Sequence, residues 1–331
     1  MTRHVIATML ACMMVAVGLR AEKAPSADPE KVKSDPQFAV QGEYVGQIKT
    51  GDNILSYGVQ VIALGDDKYQ AVAYPGGLPG DGWRKEEGNV RADSTLVDGV
   101  VTFKDPETGS IGQIRDGAMV VSDPNNPNVS GKLEKVIRKS PTLGAKPPQG
   151  AKVLFAGKDQ NDFGADKVTE DGLLMQGVTS RSKHGSCSLH LEFMLPFEPK
   201  GRGQGRGNSG VYLQSRYEVQ ILDSFGLEGR NNEAGGIYEV SDPAVNMCFP
   251  PMSWQTYDID FTAPQFDASG KKVKNARMTV RHNGVLVQQD VDVPGPTRAA
   301  PGREANEPGP LYIQDHGHPV RFRNIWIVEK N

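Results

Sequence analysis

Acidic, amide and imidazole side chains gather in three stretches of the second half of the chain. Ser188-Leu-His-Leu-Glu-Phe193 alternates apolar with polar residues, so Leu189, Leu191 and Phe193 share one strand face, and His190 and Glu192 share the other. Val211-Tyr-Leu-Gln214 and Tyr217-Glu-Val-Gln-Ile221 alternate in the same way, which sets Tyr212 with Gln214 and Glu218 with Gln220 on polar faces. Gln314-Asp-His-Gly-His318 follows a third strand, where loops carry function. A carboxylate or imidazole on such a surface can move protons, amides can pair with hydroxyls, and aromatic rings can stack on sugar faces. His316-x-His318 could also contribute to a metal site. The plain alternative is that these are the solvated faces of ordinary strands.

Two familiar chemistries fit poorly. Gly201-Arg-Gly-Gln-Gly-Arg-Gly-Asn-Ser-Gly210 is rich in glycine but lacks the Lys-Ser/Thr of a phosphate loop and precedes a strand, so it reads as a long hairpin loop with two arginines. Hydrolysis through a glycosyl-enzyme intermediate needs two carboxylates. The positions in phase with Glu218 are Gln220 and Leu222, neither acidic, and Asp223 falls out of phase. Asp258 and Asp260 share a face read as solvated surface, and Arg321 and Arg323 share another, from which an arginine could hold a sugar hydroxyl or a developing enolate.

The elements that must position these residues are strands. The 331-residue chain holds 38 glycines and 23 prolines, a composition of turns and short strands, and its length suits two domains. Lys and Arg number 37 against 40 Asp and Glu, so the net charge of -3 gives no basis for binding nucleic acid. Residues 1–21 read as a secretory signal, with Thr2-Arg3-His4 before an apolar run from Val5 to Gly18 that is too short for a membrane span. Export to the periplasm or beyond is the expectation, without a membrane span. Leu10-Ala-Cys12 is a weak lipoprotein-like signal because the apolar run continues past it. Residues 22–37 read as a flexible lead-in, 38–139 as a small antiparallel β domain, 140–152 as a Pro/Gly linker and 153–331 as a β jelly roll. Asp98-Gly99 and Asn283-Gly284 mark tight hairpins. Cys187 and Cys248, the cysteines left after signal removal, read as buried side chains rather than a bridge.

A family resemblance rests on the same residues. Gly207-Asn-Ser-Gly-Val-Tyr-Leu-Gln-Ser-Arg-Tyr-Glu-Val-Gln-Ile-Leu-Asp-Ser224 resembles the central motif of the 3-keto-disaccharide hydrolase domain family. Gly235-Gly-Ile-Tyr238, Trp254-Gln-Thr-Tyr257, His282-Asn-Gly284 and Gln314-Asp-His-Gly317 followed by Arg321-Phe-Arg-Asn-Ile325 resemble its later motifs in order. The likeness covers about the last 180 residues and leaves the N-terminal domain without a role. It implies an all-β, concanavalin A-like jelly roll acting on oligosaccharides or glycosides already oxidised at carbon 3, with a separate sugar 3-oxidising enzyme supplying the ketone. The ketone acidifies the hydrogen on carbon 2; a base removes it, the group on carbon 1 leaves, and water adds to the enone. On this reading Glu218 or His316 is the base, Glu192 and Asp315 assist, and Asn208, Tyr212, Gln214, Gln220, Gln314 and Arg323 hold the sugar. A divalent cation could polarise the ketone; no other cofactor is implied. The competing reading is a non-catalytic carbohydrate-binding module of a cell-surface glycan system.

Overall fold

Alternating apolar residues bury one side of a strand, and this chain solves that problem twice, once by closing a sheet on itself and once by stacking two sheets. The structure is a computed structural model that describes residues 29–330. The expected signal sequence lies outside the described residues. The end of the lead-in, expected to be unpatterned, instead forms two short helices, α1 (Pro29–Lys33) and α2 (Pro36–Val40). The Asp35 carboxylate accepts the Gln37 N–H at 2.9 Å, and Pro36 sits in the first turn, where its missing N–H costs nothing.

The first domain is a meander of eight strands: β1 (Gly42–Thr50), β2 (Asn53–Gly65), β3 (Lys68–Pro75), β4 (Val90–Val97), β5 (Val100–Lys104), β6 (Ile111–Arg115), β7 (Ala118–Ser122) and β8 (Val129–Val136). Each pairs with the next, and β8 returns to β1 with Leu133 opposite Gly46, closing a barrel. Tyr44, Val59, Val61, Tyr69, Val101, Phe103, Ile114 and Leu133 pack together inside. Eight strands give a lumen that side chains can fill. The Asp98-Gly99 hairpin forms as expected, with φ of 50° and 77°.

The second domain is a sandwich of β9 (Lys152–Phe155), β10 (Val178–His184), β11 (Cys187–Met194), β12 (Ser209–Leu213), β13 (Tyr217–Ile221), β14 (Trp254–Thr262), β15 (Ala276–His282), β16 (Val285–Val293), β17 (Gly309–Ile313) and β18 (Arg321–Glu329). The larger sheet runs β9-β18-β11-β14-β15-β16, with Leu174–Met175 also against β18; the smaller runs β10-β17-β12-β13. Leu189, Leu191 and Phe193 of the larger sheet meet Val211, Tyr217, Val219 and Ile221 of the smaller in one core. Each such side chain contributes roughly 1.5–3 kcal/mol by leaving water. Cys187 and Cys248 are buried and unbridged. Ile62, Val72 and Tyr74 of the barrel join the same core cluster, so the two domains meet through apolar contact.

Candidate active site

Because Tyr217, Val219 and Ile221 point into the core, Glu218 and Gln220 lie on the outer face of the smaller sheet. Tyr212 stands opposite Glu218 and Gly210 opposite Gln220. The Glu218 carboxylate folds over Gly210; a Cβ there would come within 2.1 Å of Oε1. Tyr212 Oη accepts a hydrogen bond from Gln314 Nε2 at 3.2 Å and hydrogen-bonds the Glu218 carboxylate. The Glu218 backbone is fixed by its N–H to Thr297 Oγ1 at 3.1 Å. The residue is only 2% exposed. Burial lifts its carboxyl from the ordinary 4.5 to about 8, and the Tyr212 bond opposes that rise. The Tyr212 phenol is itself pushed well up by burial and by the Glu218 charge beside it, so it remains a proton donor. A carboxyl that titrates near neutrality can take a proton and return it in one cycle.

Amide groups gather about Gln220, two residues along β13 from Glu218. Asn208 Nδ2 donates to Gln204 O at 2.8 Å and to Gln204 Oε1 at 3.1 Å, and Gln220 Nε2 donates to the same Oε1 at 3.0 Å. Tyr312 lies beside Tyr212 with ring centroids 5.4 Å apart, and the half-exposed Tyr238 donates its backbone N–H to Glu218 O at 3.3 Å. Gln204 was not foreseen, since it sits in the glycine-rich loop whose spacing carries no strand phase. The two arginines of that loop face the barrel. Arg202 donates to Leu64 O at 2.7 Å, and Arg206 pairs with Asp223 at 2.6 Å and donates to Ala63 O at 3.1 Å. Gly210 was also missed; the readable signal was a glycine at the start of an alternating strand that is followed at once by the strand bearing the acid.

The remaining expected residues are dispersed. His316 is exposed, with its ring stacked 6.1 Å from that of His318. Asp315 Oδ1 accepts the Gly317 N–H at 2.9 Å and so closes its own turn. Among the described residues no three of His, Cys, Asp and Glu gather in a way that could hold a metal ion. Gln214, expected to share a face with Tyr212, falls beyond the end of β12. It takes φ of 55° in the turn, donates to His184 O at 3.1 Å and accepts from Arg216 at 2.9 Å, which makes it an internal brace.

Glu192 and Arg323 belong to the opposite side of the sandwich. Leu189, Leu191 and Phe193 occupy the core, so Glu192 projects from the outer face of the larger sheet, away from Glu218. Pairing of β11 with β18 shifts between His190–Trp326 and Glu192–Arg323, a bulge at which Asn324 has φ of 46°. The bulge turns two consecutive residues onto one carboxylate: Arg323 Nε lies 2.7 Å from Glu192 Oε2 and Asn324 Nδ2 lies 2.9 Å from Oε1. Arg323 stacks over Trp254 at 3.9 Å. The segment expected to be a Pro/Gly linker covers this face. Gly144 N–H donates to Glu192 Oε1 at 2.6 Å, Thr142 Oγ1 donates to Asp258 Oδ2 at 2.7 Å, and Ala145 O accepts from Asn324 at 3.0 Å. Asp258, expected on solvated surface, also holds His190 Nδ1 at 2.6 Å. Burial alone would raise the Glu192 carboxyl, but His190, Asn324, Arg323 and the Gly144 N–H together hold it at about 2. A pocket of about 250 Å³ adjoins it, lined in part by Lys146 and Pro147. The two carboxyls thus differ in state: Glu192 is held low by its four donors, whereas burial lifts Glu218 to about 8.

Residues 150–328 match the model of the 3-keto-alpha-glucoside-1,2-lyase-like domain. A candidate glycosyl hydrolase of known structure from Parabacteroides distasonis is 34% identical, with a TM-score of 0.51, over 55% of this chain and 85% of that one. A second such structure from the same organism is 18% identical, with a TM-score of 0.36, over 57% and 93%. No curated protein matches the chain.

Proposed function

The chain belongs to the 3-keto-alpha-glucoside-1,2-lyase-like family, and from that premise we propose that it is a carbohydrate-active enzyme that cleaves 3-keto-glycosides, with Glu218 as the base that removes the hydrogen on carbon 2. The supporting observation is the Glu218 carboxyl itself, folded over Gly210 and bonded to Tyr212, with burial lifting it to about 8. The C2–H electrons pass into the ketone as an enolate. The enolate collapses, C1=C2 forms and the bond from C1 to the leaving oxygen breaks. Water then adds its oxygen to C1, the proton it sheds making up the one taken by the departed oxygen, and Glu218 returns the proton to C2, completing net hydrolysis. Tyr212 steadies the carboxylate when it is charged, and the partly exposed Gln314 beside it offers its amide to the sugar hydroxyls, while Asn208 and Gln220 spend theirs on Gln204. The ketone must be supplied by a separate oxidation at carbon 3.

The test is aglycone release from a 3-keto-glucoside and from its unoxidised parent, each with and without chelator. Cleavage of the keto substrate alone is expected; saturable glycan binding with no cleavage of either would replace the enzyme by a binding module. Because the base works ionised, the rate on a nitrophenyl 3-keto-glucoside, whose leaving group needs no acid, is expected to rise with pH toward a plateau above about 8 and to be roughly 100-fold below it at pH 6. Gly210→Ala places a methyl where Glu218 Oε1 lies. Overpacking of this kind costs about 1–3 kcal/mol, and if that strain is relieved by displacing the carboxylate, turnover falls roughly 10- to 100-fold with KM little changed.

A further inference from the structure

Elimination from an unactivated glycoside needs a proton for the departing oxygen, and Glu218 is occupied with the hydrogen on carbon 2. We propose that His318, carried on Glu198, is the acid that protonates the leaving oxygen, an inference that rests on the reading of Glu218 above. Glu198 Oε2 lies 2.7 Å from His318 Nδ1 and also accepts the Gly207 N–H at 2.5 Å. Glu198 is buried, and its other oxygen has no hydrogen-bond partner among the described residues. With Nδ1 taken by the carboxylate, Nε2 is the ring nitrogen left to face a substrate. A histidine oriented by a buried carboxylate is the arrangement that proton-transfer sites use to set tautomer and direction.

The backbone brings this pair to the start of β12, close along the chain to Gly210, over which the Glu218 carboxylate folds. Gln314 N–H donates to Gly210 O at 2.9 Å, and Ser209 Oγ donates to Gln314 O at 2.8 Å, so residues 314–318 leave β17 alongside the start of β12. Glu198 grips Gly207, next to Asn208. Glu218 and Gln220 are two residues apart on β13, about 7 Å along the strand, a span comparable to one sugar ring. A ring with its C2–H at Glu218 can direct its C1 oxygen toward Asn208 and His318. When the C1–oxygen bond breaks, the electron pair goes to the leaving oxygen and the proton on His318 Nε2 joins it. The neutral imidazole then takes a proton from the water that adds to C1, restoring both groups.

The experiment compares His318→Gln with wild type on two 3-keto-glucosides, one releasing 4-nitrophenol and one releasing a simple alcohol. Nitrophenolate departs without help, whereas an alkoxide does not. The expected result is a loss of at least about 100-fold in alcohol release and less than about fivefold in nitrophenol release, with unchanged exchange of the C2 hydrogen into deuterated water. Glu198→Gln should show the same selective loss in weaker form, with retained thermal melting confirming that the loop is intact. Equal losses on both substrates, or none on either, overturn the assignment of His318 and leave Glu218 standing. Absence of C2 exchange in wild type removes the chemistry itself, and this proposal with it.

Discussion

Replacing Glu218 by glutamine lowers turnover of a 3-keto-glucoside at least about 100-fold, the value of a positioned base, without weakening the fold at neutral pH. Both halves follow from the same burial. Glutamine keeps the shape over Gly210 and can accept from Tyr212, but it cannot take the proton. The stability half has a definite sign. The folded carboxyl titrates at about 8 and the unfolded one near 4.5, so between those values the folded state holds the proton more tightly. The associated stability is complete below about 4.5 and is lost as pH rises through about 8. Glu218→Gln removes that decline, so its urea midpoint should vary less with pH than wild type between pH 5 and 8. Steady-state assay and urea melts at several pH values check both; near-normal turnover in a folded variant would take Glu218 out of the role.

Glu192→Ala is expected to do the reverse, destabilising by about 3 kcal/mol, toward the lower end for a broken buried ion pair because Arg323 can turn to water. The deletion strands the Gly144 N–H, leaves Asn324 Nδ2 with Ala145 O but without its carboxylate, and opens the His190 side of the network. Wild type should also lose stability as pH falls from about 4.5 toward about 2, where Glu192 takes up its proton, and the variant should lack that loss. Turnover per folded molecule should hold. A variant that melts like wild type but is inactive would return Glu192 to the catalytic machinery.

Period-two alternation was enough to sort Leu189, Leu191 and Phe193 from Glu192, and Tyr217, Val219 and Ile221 from Glu218, and the structure keeps that sorting. Alternation gives each strand two faces but not the sheet it joins, so Glu192 and Glu218 could be read as neighbours although they point to opposite sides. It also fails where a strand leaves its period. The bulge at Asn324 puts Arg323 and Asn324 on one carboxylate, and the end of β12 takes Gln214 out of phase. Barrel closure was hidden for another reason: Gly46 and Leu133 pair across most of a domain, and no local pattern announces a contact so distant in sequence. The roles of Gln204, Glu198 and His318 depend on loop geometry, which composition describes only as flexible and polar.

The covering of the larger sheet by residues 142–145 separates two kinds of boundary. Similarity to the family begins at residue 150, yet the peptide groups that complete the Glu192 network come from Gly144 and Ala145, before that point. A fragment cut where the resemblance starts would open a buried carboxylate and its cationic partner to water. The family match and the set of residues that close the Glu192 network therefore differ by about ten residues, and any fragment of the sandwich needs at least the strap from Ser140 onward.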